Sequence, residues 1–240
     1  MAHQPTQLVH REAITHSQLR HPNIIPFLGI YQEALETLPL TTVPYIRRGS
    51  LNDSIAGKLI KANEVSGIVI GISRGVAYLH SRTPPVIHGD LHPGNILVDE
   101  SGNPFLCDFG LSRIRHEVTR TRTMRQEGGR IRFMAPELSL SLEGQFRTTP
   151  ASDIFSLAMT LLNIWTGEMP FAEIRSEWKV VSQVSKGGRP NRPSKTLWTP
   201  ATDETVWKLM EEMWAKNWDK RPSSHDVLLR LGLAVNPERA

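Results

Sequence analysis

The sequence predicts an α+β fold in which one helix and two strands come first and helices dominate the C-terminal two-thirds. Three observations lead there. Val65, Ile68, Ile72, Val76 and Leu79 recur at three- and four-residue spacing, which lays one apolar stripe along a helix over 64–80. The same helical spacing returns after residue 150, over 154–165, 205–214 and 221–231. Before residue 47, two runs rich in β-branched and aromatic residues, 24–31 and 38–46, read as strands.

Taken in chain order, residues 11–19 fit a helix that stops before His21-Pro22, because the residue ahead of a proline is pushed out of the helical region. The two strands follow, and Gly49-Ser50 breaks the second before a mostly helical stretch. Beyond the helix over 64–80 come short β-type runs at Val86-Ile87, 96–98 and 105–107. Residues from about 112 to 130 and from 185 to 202 carry neither period and read as two working loops. No internal repeat divides the chain.

At 39% hydrophobic and 22% charged, the 240 residues have a globular composition, which excludes a disordered or collagen-like chain. Lys and Arg exceed Asp and Glu by 28 to 24, and a net charge of +4 is too mild to argue for a nucleic-acid or membrane partner. One cysteine forms no internal disulfide, and the first residues lack an apolar stretch of signal-peptide or membrane-helix length. The expectation is a reducing, cytoplasmic setting without a membrane span.

The chemistry concentrates in His88-Gly89-Asp90-Leu91-His92-Pro93-Gly94-Asn95, on a loop between short β-runs, with Asp108-Phe109-Gly110 following thirteen positions after Asn95. Transferring a phosphoryl group needs a base or orienting group at the attacking hydroxyl and oxygen ligands for Mg²⁺, because positioning and charge neutralisation do most of the work. Asp90, Asn95 and Asp108 supply those groups. Each triplet alone is weak, since Asp and Gly are ordinary turn residues. The combined spacing carries the inference.

On these residues the chain resembles the eukaryotic protein kinases, nearest to the tyrosine-kinase-like serine/threonine group. The resemblance implies a protein-kinase-like fold, ATP and Mg²⁺ as cofactors, and a protein substrate phosphorylated on Ser or Thr. It makes Asp90 the catalytic-loop base, with His92 beside it, and gives the magnesium to Asn95 and Asp108. Leu97 matches the apolar residue beneath the adenine, and Val43, Pro44, Tyr45 and Ile46 fall at the gatekeeper and hinge. Leu19-Arg20-His21-Pro22-Asn23-Ile24 resembles the segment after the family's helix C, which puts Glu12 in the place of that helix's glutamate. Ala135-Pro136-Glu137 looks like the end of the activation segment, with Arg221 as the partner of Glu137, and Asp153 as the acid that braces the catalytic loop. Coverage runs from about residue 11 to about 232. The implied division is a partial small lobe over 1–46, a large lobe over 47–232 and a tail over 233–240. Cys107 is expected to be a small buried hydrophobe.

Several positions depart from the family's pattern. No glycine precedes Glu12 and no lysine precedes Lys58, so the phosphate-covering loop and the third-strand lysine have no counterpart. Weak or absent activity of this chain is the expectation, and the strand over 38–46 is expected to present an edge that a partner chain covers. Gly89 stands where many relatives carry an arginine, so phosphorylation at Thr119, Thr121 or Thr123 is expected to act modestly. His92 stands where serine/threonine kinases carry a lysine, and an imidazole with a reference pKa of ~6.5 is mostly neutral at pH 7. Arg130 takes the place of the usual threonine before Ala-Pro-Glu. Two other readings stand beside the kinase: a pseudokinase acting as a binding module, and a small-molecule phosphotransferase of the aminoglycoside and choline kinase type.

Overall fold

The computed structural model describes residues 13–33, 40–108, 129–139, 148–194 and 200–235. A short helix α1 (residues 13–17) opens the described chain. It is tied down by His16, whose Nε2 lies 2.7 Å from the carbonyl oxygen of Ile25. Strand β1 (Gly29–Tyr31) pairs antiparallel with β2 (Leu40–Thr42), Gly29 facing Thr42. Helices α2 (Leu51–Ala56) and α3 (Ala62–His80) follow. A second antiparallel pair is formed by β3 (Ile96–Val98) and β4 (Pro104–Leu106), Ile96 facing Leu106. The α-helices described beyond β4 are α4 (Pro136–Ser139), α5 (Pro150–Thr166), α6 (Glu177–Ser185), α7 (Pro200–Met213) and α8 (Ser224–Val235).

Helix α5 is the centre of the large part. Every residue from Ser152 to Trp165 is buried, so this helix has no solvent face and is enclosed by its neighbours. Thr149 caps its start by accepting from Ser152 N at 3.1 Å, and Gly167, at φ +72°, closes its end. Helices α3 and α7 pack against it, and α8 lies along α3. Gly71 and Gly75 let α3 lie flush on β4: a Cβ at Gly71 would stand 2.5 Å from Pro104 Cγ, and one at Gly75 2.8 Å from Leu106 Cδ1.

The expected helices are present with slightly shifted ends, and the strands are shorter than their sequence runs. Within 24–31 only Gly29–Tyr31 belongs to a ladder, and within the described part of 38–46 only Leu40–Thr42 does. Pro26 and Pro44 explain this, since each removes a ladder N–H. Val86-Ile87 is not a strand. Val86 N donates to Leu79 O at 3.0 Å, which ties it to the end of α3 instead of to a ladder. Helix α6 went unread in the sequence because it buries only Val180 and Val184, a single i, i+4 pair, while Trp178 stays exposed.

Residues 46–50 are fixed against the large part. Arg48 donates to both carboxylate oxygens of Glu64, at 3.0 and 3.1 Å, and Lys61 N adds a bond at 2.9 Å. These partners, the Arg48 hydrogen bonds foremost, hold the Glu64 carboxyl below the ordinary glutamate range. A depressed carboxylate pKa contributes stability that is complete above the unfolded value near ~4.3 and is lost as pH falls through the lower folded value. Urea midpoints are therefore expected to drop between about pH 5 and about pH 3, with a shallower drop in Arg48→Met. Parallel curves for the two proteins would contradict this.

Candidate active site

The site is built downward from α5. Asp153, in its first turn and almost fully enclosed, accepts from His88 N and Gly89 N, both at 2.8 Å. His80 Nε2 lies 2.9 Å from the same carboxylate. Three groups from two segments thus converge on one buried acid, which fixes the backbone of the loop that carries Asp90. Gly89 sits at φ +74°, a conformation that glycine reaches without a Cβ penalty, and this turns its N–H toward Asp153. His88 is buried, and desolvation pushes its pKa down against the field of Asp153, Asp90 and Asp108. Its ring is therefore a neutral packing element, with Nδ1 accepting from Asp90 N at 3.3 Å.

Asp90 and Asn95 meet directly. Asn95 Nδ2 donates to the backbone oxygen of Asp90 at 2.9 Å and to Asp90 Oδ2 at 3.0 Å. Both donations of the amide nitrogen go to Asp90, so the amide oxygen is turned the other way. Asn95 O accepts from Cys107 N at 3.0 Å, which places Asp108 one residue beyond a backbone bond to Asn95. Asp108 is exposed and takes φ +57°, a left-handed conformation that aspartate tolerates better than most residues. Cys107 is buried, as the sequence implied.

The other oxygen of Asp90 faces two basic residues. Arg130 Nε pairs with Oδ1, and His92 Nε2 lies 3.7 Å from the same atom. His92 Nδ1 accepts from Gly94 N at 3.1 Å. The pairing with Arg130 was hidden in the sequence, which marks position 130 only as unusual.

Of the remaining expected site residues, the segment Val43, Pro44, Tyr45 and Ile46 runs to the edge of β3. Gly49 N donates to Ile46 O and Gly49 O accepts from Val98 N, both at 3.0 Å, while Ser50 bridges to Leu97. Tyr45 is 89% exposed. Leu97 is half-buried in the middle of β3. Glu12 lies outside the described residues, as do Phe109, Gly110, Thr119, Thr121 and Thr123.

Farther from Asp90, Arg221 grips Glu137 with both arms of its guanidinium, at 2.6 and 2.9 Å. It also donates to Ala215 O at 3.0 Å and Ala151 O at 2.8 Å, and lies over the ring of Phe155. This pins α4 to α5 and to the segment before α8. Among the described residues no group of three or more His, Cys, Asp or Glu gathers into a metal cage. Two oxygen donors, Asn95 and Asp108, suit Mg²⁺, which takes one or two protein oxygens and completes its octahedron with phosphates and water.

A carboxylate fixed by an asparagine, a second acid just beyond and a loop braced from the helix beneath it are gathered on the mainly helical part of the chain. The chain belongs to the protein kinase family: the family described as "Protein kinase domain" matches residues 2–230. Its similarity to named serine/threonine-protein kinases covers most of its length. It is 35% identical over 223 residues to serine/threonine-protein kinase VIK of Arabidopsis thaliana, covering 89% of this chain and 47% of that protein. It is 33% identical to serine/threonine-protein kinase 12 of the same plant, covering 92% of this chain and 46% of the relative. It is 33% identical to receptor-interacting serine/threonine-protein kinase 2 of Bos taurus, covering 92% and 42%. The chain thus spans less than half the length of each of these relatives. It carries a protein kinase domain similar to those of named serine/threonine-protein kinases.

Proposed function

We propose that this chain binds ATP with Mg²⁺ and transfers the γ-phosphoryl group to Ser or Thr hydroxyls of a protein substrate. The observation that carries the reading is the Asn95 amide spanning the backbone and side chain of Asp90 while the Asn95 carbonyl holds the strand that leads to Asp108. When bound, Mg²⁺ neutralises the charge that spreads over the phosphate oxygens. Asn95 and Asp108 hold it. Asp90 orients the acceptor hydroxyl and takes its proton as the oxygen bonds to the γ-phosphorus and the bond to the ADP oxygen breaks. Leu97 lies under the adenine, the segment from Val43 to Ile46 flanks it, and Glu12 stands at the helix C position. The small-lobe part is residues 1–46, the large lobe 47–232 and the tail 233–240.

The setting we propose is cytoplasmic signalling, without nucleic acid. Among the described residues no helix is long and apolar enough to cross a membrane. A second reading, a binding module, draws on one observation. Leu28, Ile30, Tyr31 and Leu40 on and beside the β1–β2 pair are all exposed, which fits a partner chain covering this edge. The small-molecule phosphotransferase reading is weakened by the Glu137–Arg221 clamp, an element those enzymes generally lack.

A thermal titration tests the proposal. At about 100 times Kd, Mg-ATP stabilises a native-only binder by about 2.7 kcal/mol, and for a domain of this size the expected rise in Tm is about 5–10 °C. Asp108→Asn is expected to lose most of the Mg²⁺-dependent part. No rise with saturating Mg-ATP would favour the binding module.

A further inference from the structure

We propose that Arg130 supplies the fixed positive charge beside Asp90 that the family draws from the position of His92. Two departures that look like independent losses in the sequence thus offset each other at one carboxylate. The inference rests on Asp90 as the group that orients the acceptor hydroxyl.

The geometry supports it in four ways. Arg130 and His92 address the same oxygen, Asp90 Oδ1, and Arg130 Nε makes the closer approach, with His92 Nε2 standing at 3.7 Å. A guanidinium is charged at every working pH, whereas an imidazole is not. The Arg130 and Asp90 side chains are 16% and 4% exposed, so the charge acts in a site with little water to screen it. The backbone on both sides of Arg130 is anchored. Gly129 N donates to Glu177 Oε1 at 2.8 Å, and Arg132 donates to the carbonyls of Pro170, Phe171 and Ile174 at 2.9, 2.7 and 2.6 Å. The residues flanking Arg130 on both sides are thus tied to neighbouring elements.

The pair also leaves space for an acceptor. A cavity of about 20 Å³, bordered by Gly89, Asp90, His92, Arg130 and Phe133, has room for one water-sized group, the size of a hydroxyl. A preorganised cation there favours the transition state, in which charge spreads over the transferring phosphoryl oxygens, over the ground state. Arg130 is a positioning residue in this scheme, acting through Asp90 and through its field.

The test compares the wild-type chain with Arg130→Thr, Arg130→Met, His92→Lys and the double variant Arg130→Thr with His92→Lys. Each is melted with Mg-ADP alone and with Mg-ADP plus aluminium fluoride, which mimics the transferring phosphoryl group and needs no turnover. The wild type is expected to gain a further rise in Tm with fluoride. Arg130→Thr and Arg130→Met are expected to keep the Mg-ADP rise and lose the fluoride increment, and the double variant to regain it. An increment retained in both Arg130 variants, or not restored by the lysine, overturns the proposal. So does loss of the Mg-ADP rise in both variants, which would mark Arg130 as merely structural. A wild type with the Mg-ADP rise and no fluoride increment overturns this proposal alone. A wild type without any Mg-ADP rise removes the kinase reading beneath it as well.

Discussion

Asp90→Asn is expected to lower phosphoryl transfer by about 10²–10⁴-fold, the range that a positioned proton acceptor supplies. Asparagine keeps the size of the side chain but cannot take the acceptor's proton, and it gives up the anion that faces Arg130. Nucleotide affinity should change little, because Asn95 and Asp108 remain. The measurement is the initial rate of labelled phosphate transfer to a mixed Ser/Thr peptide substrate at micromolar enzyme, beside the Mg-ATP melting shift of the same preparation. A rate within a few-fold of the parent, with the fold intact, would remove Asp90 from the chemistry.

Arg221→Met is expected to cost about 3–5 kcal/mol of folding stability, because it strands a partly buried carboxylate. The Arg221 side chain is fully enclosed and that of Glu137 is 17% exposed, so water does little to replace the lost partner. The carbonyls of Ala215 and Ala151 lose their donor at the same time. Breaking a buried pair and replacing one are different experiments. The double variant Glu137→Leu with Arg221→Met removes both charges and is expected to recover most of the loss. Urea unfolding of the two single variants and the double one measures the coupling. Additive losses would mean that the two side chains do not act as a pair.

The helices were the most legible part of the sequence. The stripe of Val65, Ile68, Ile72, Val76 and Leu79 gave α3 nearly to the residue, because those five positions are all buried and their spacing is a local property, although the burial of every residue from 68 to 73 goes beyond that stripe. For α5 the same reasoning located the helix without revealing that it is enclosed on all sides, since enclosure depends on what surrounds it. The strands were overextended, because β-type residues mark a tendency whereas a ladder needs a partner of matching length and uninterrupted N–H groups. In the candidate site, the spacing singles out Asp90 and Asn95, whose side chains meet, and Asp108, one residue beyond the Cys107 bond to Asn95. The contact between Arg130 and Asp90 was not readable, because a pairing across forty positions is made by the tertiary fold and leaves no periodic trace.

The three groups that converge on Asp153 have a thermodynamic consequence for ligand capture. The conformational entropy of the loop bearing Asp90 is surrendered when α5 folds, not when a nucleotide or an acceptor arrives. Binding energy that a floppier loop would spend on its own ordering is thus left for affinity and for alignment of the reacting atoms.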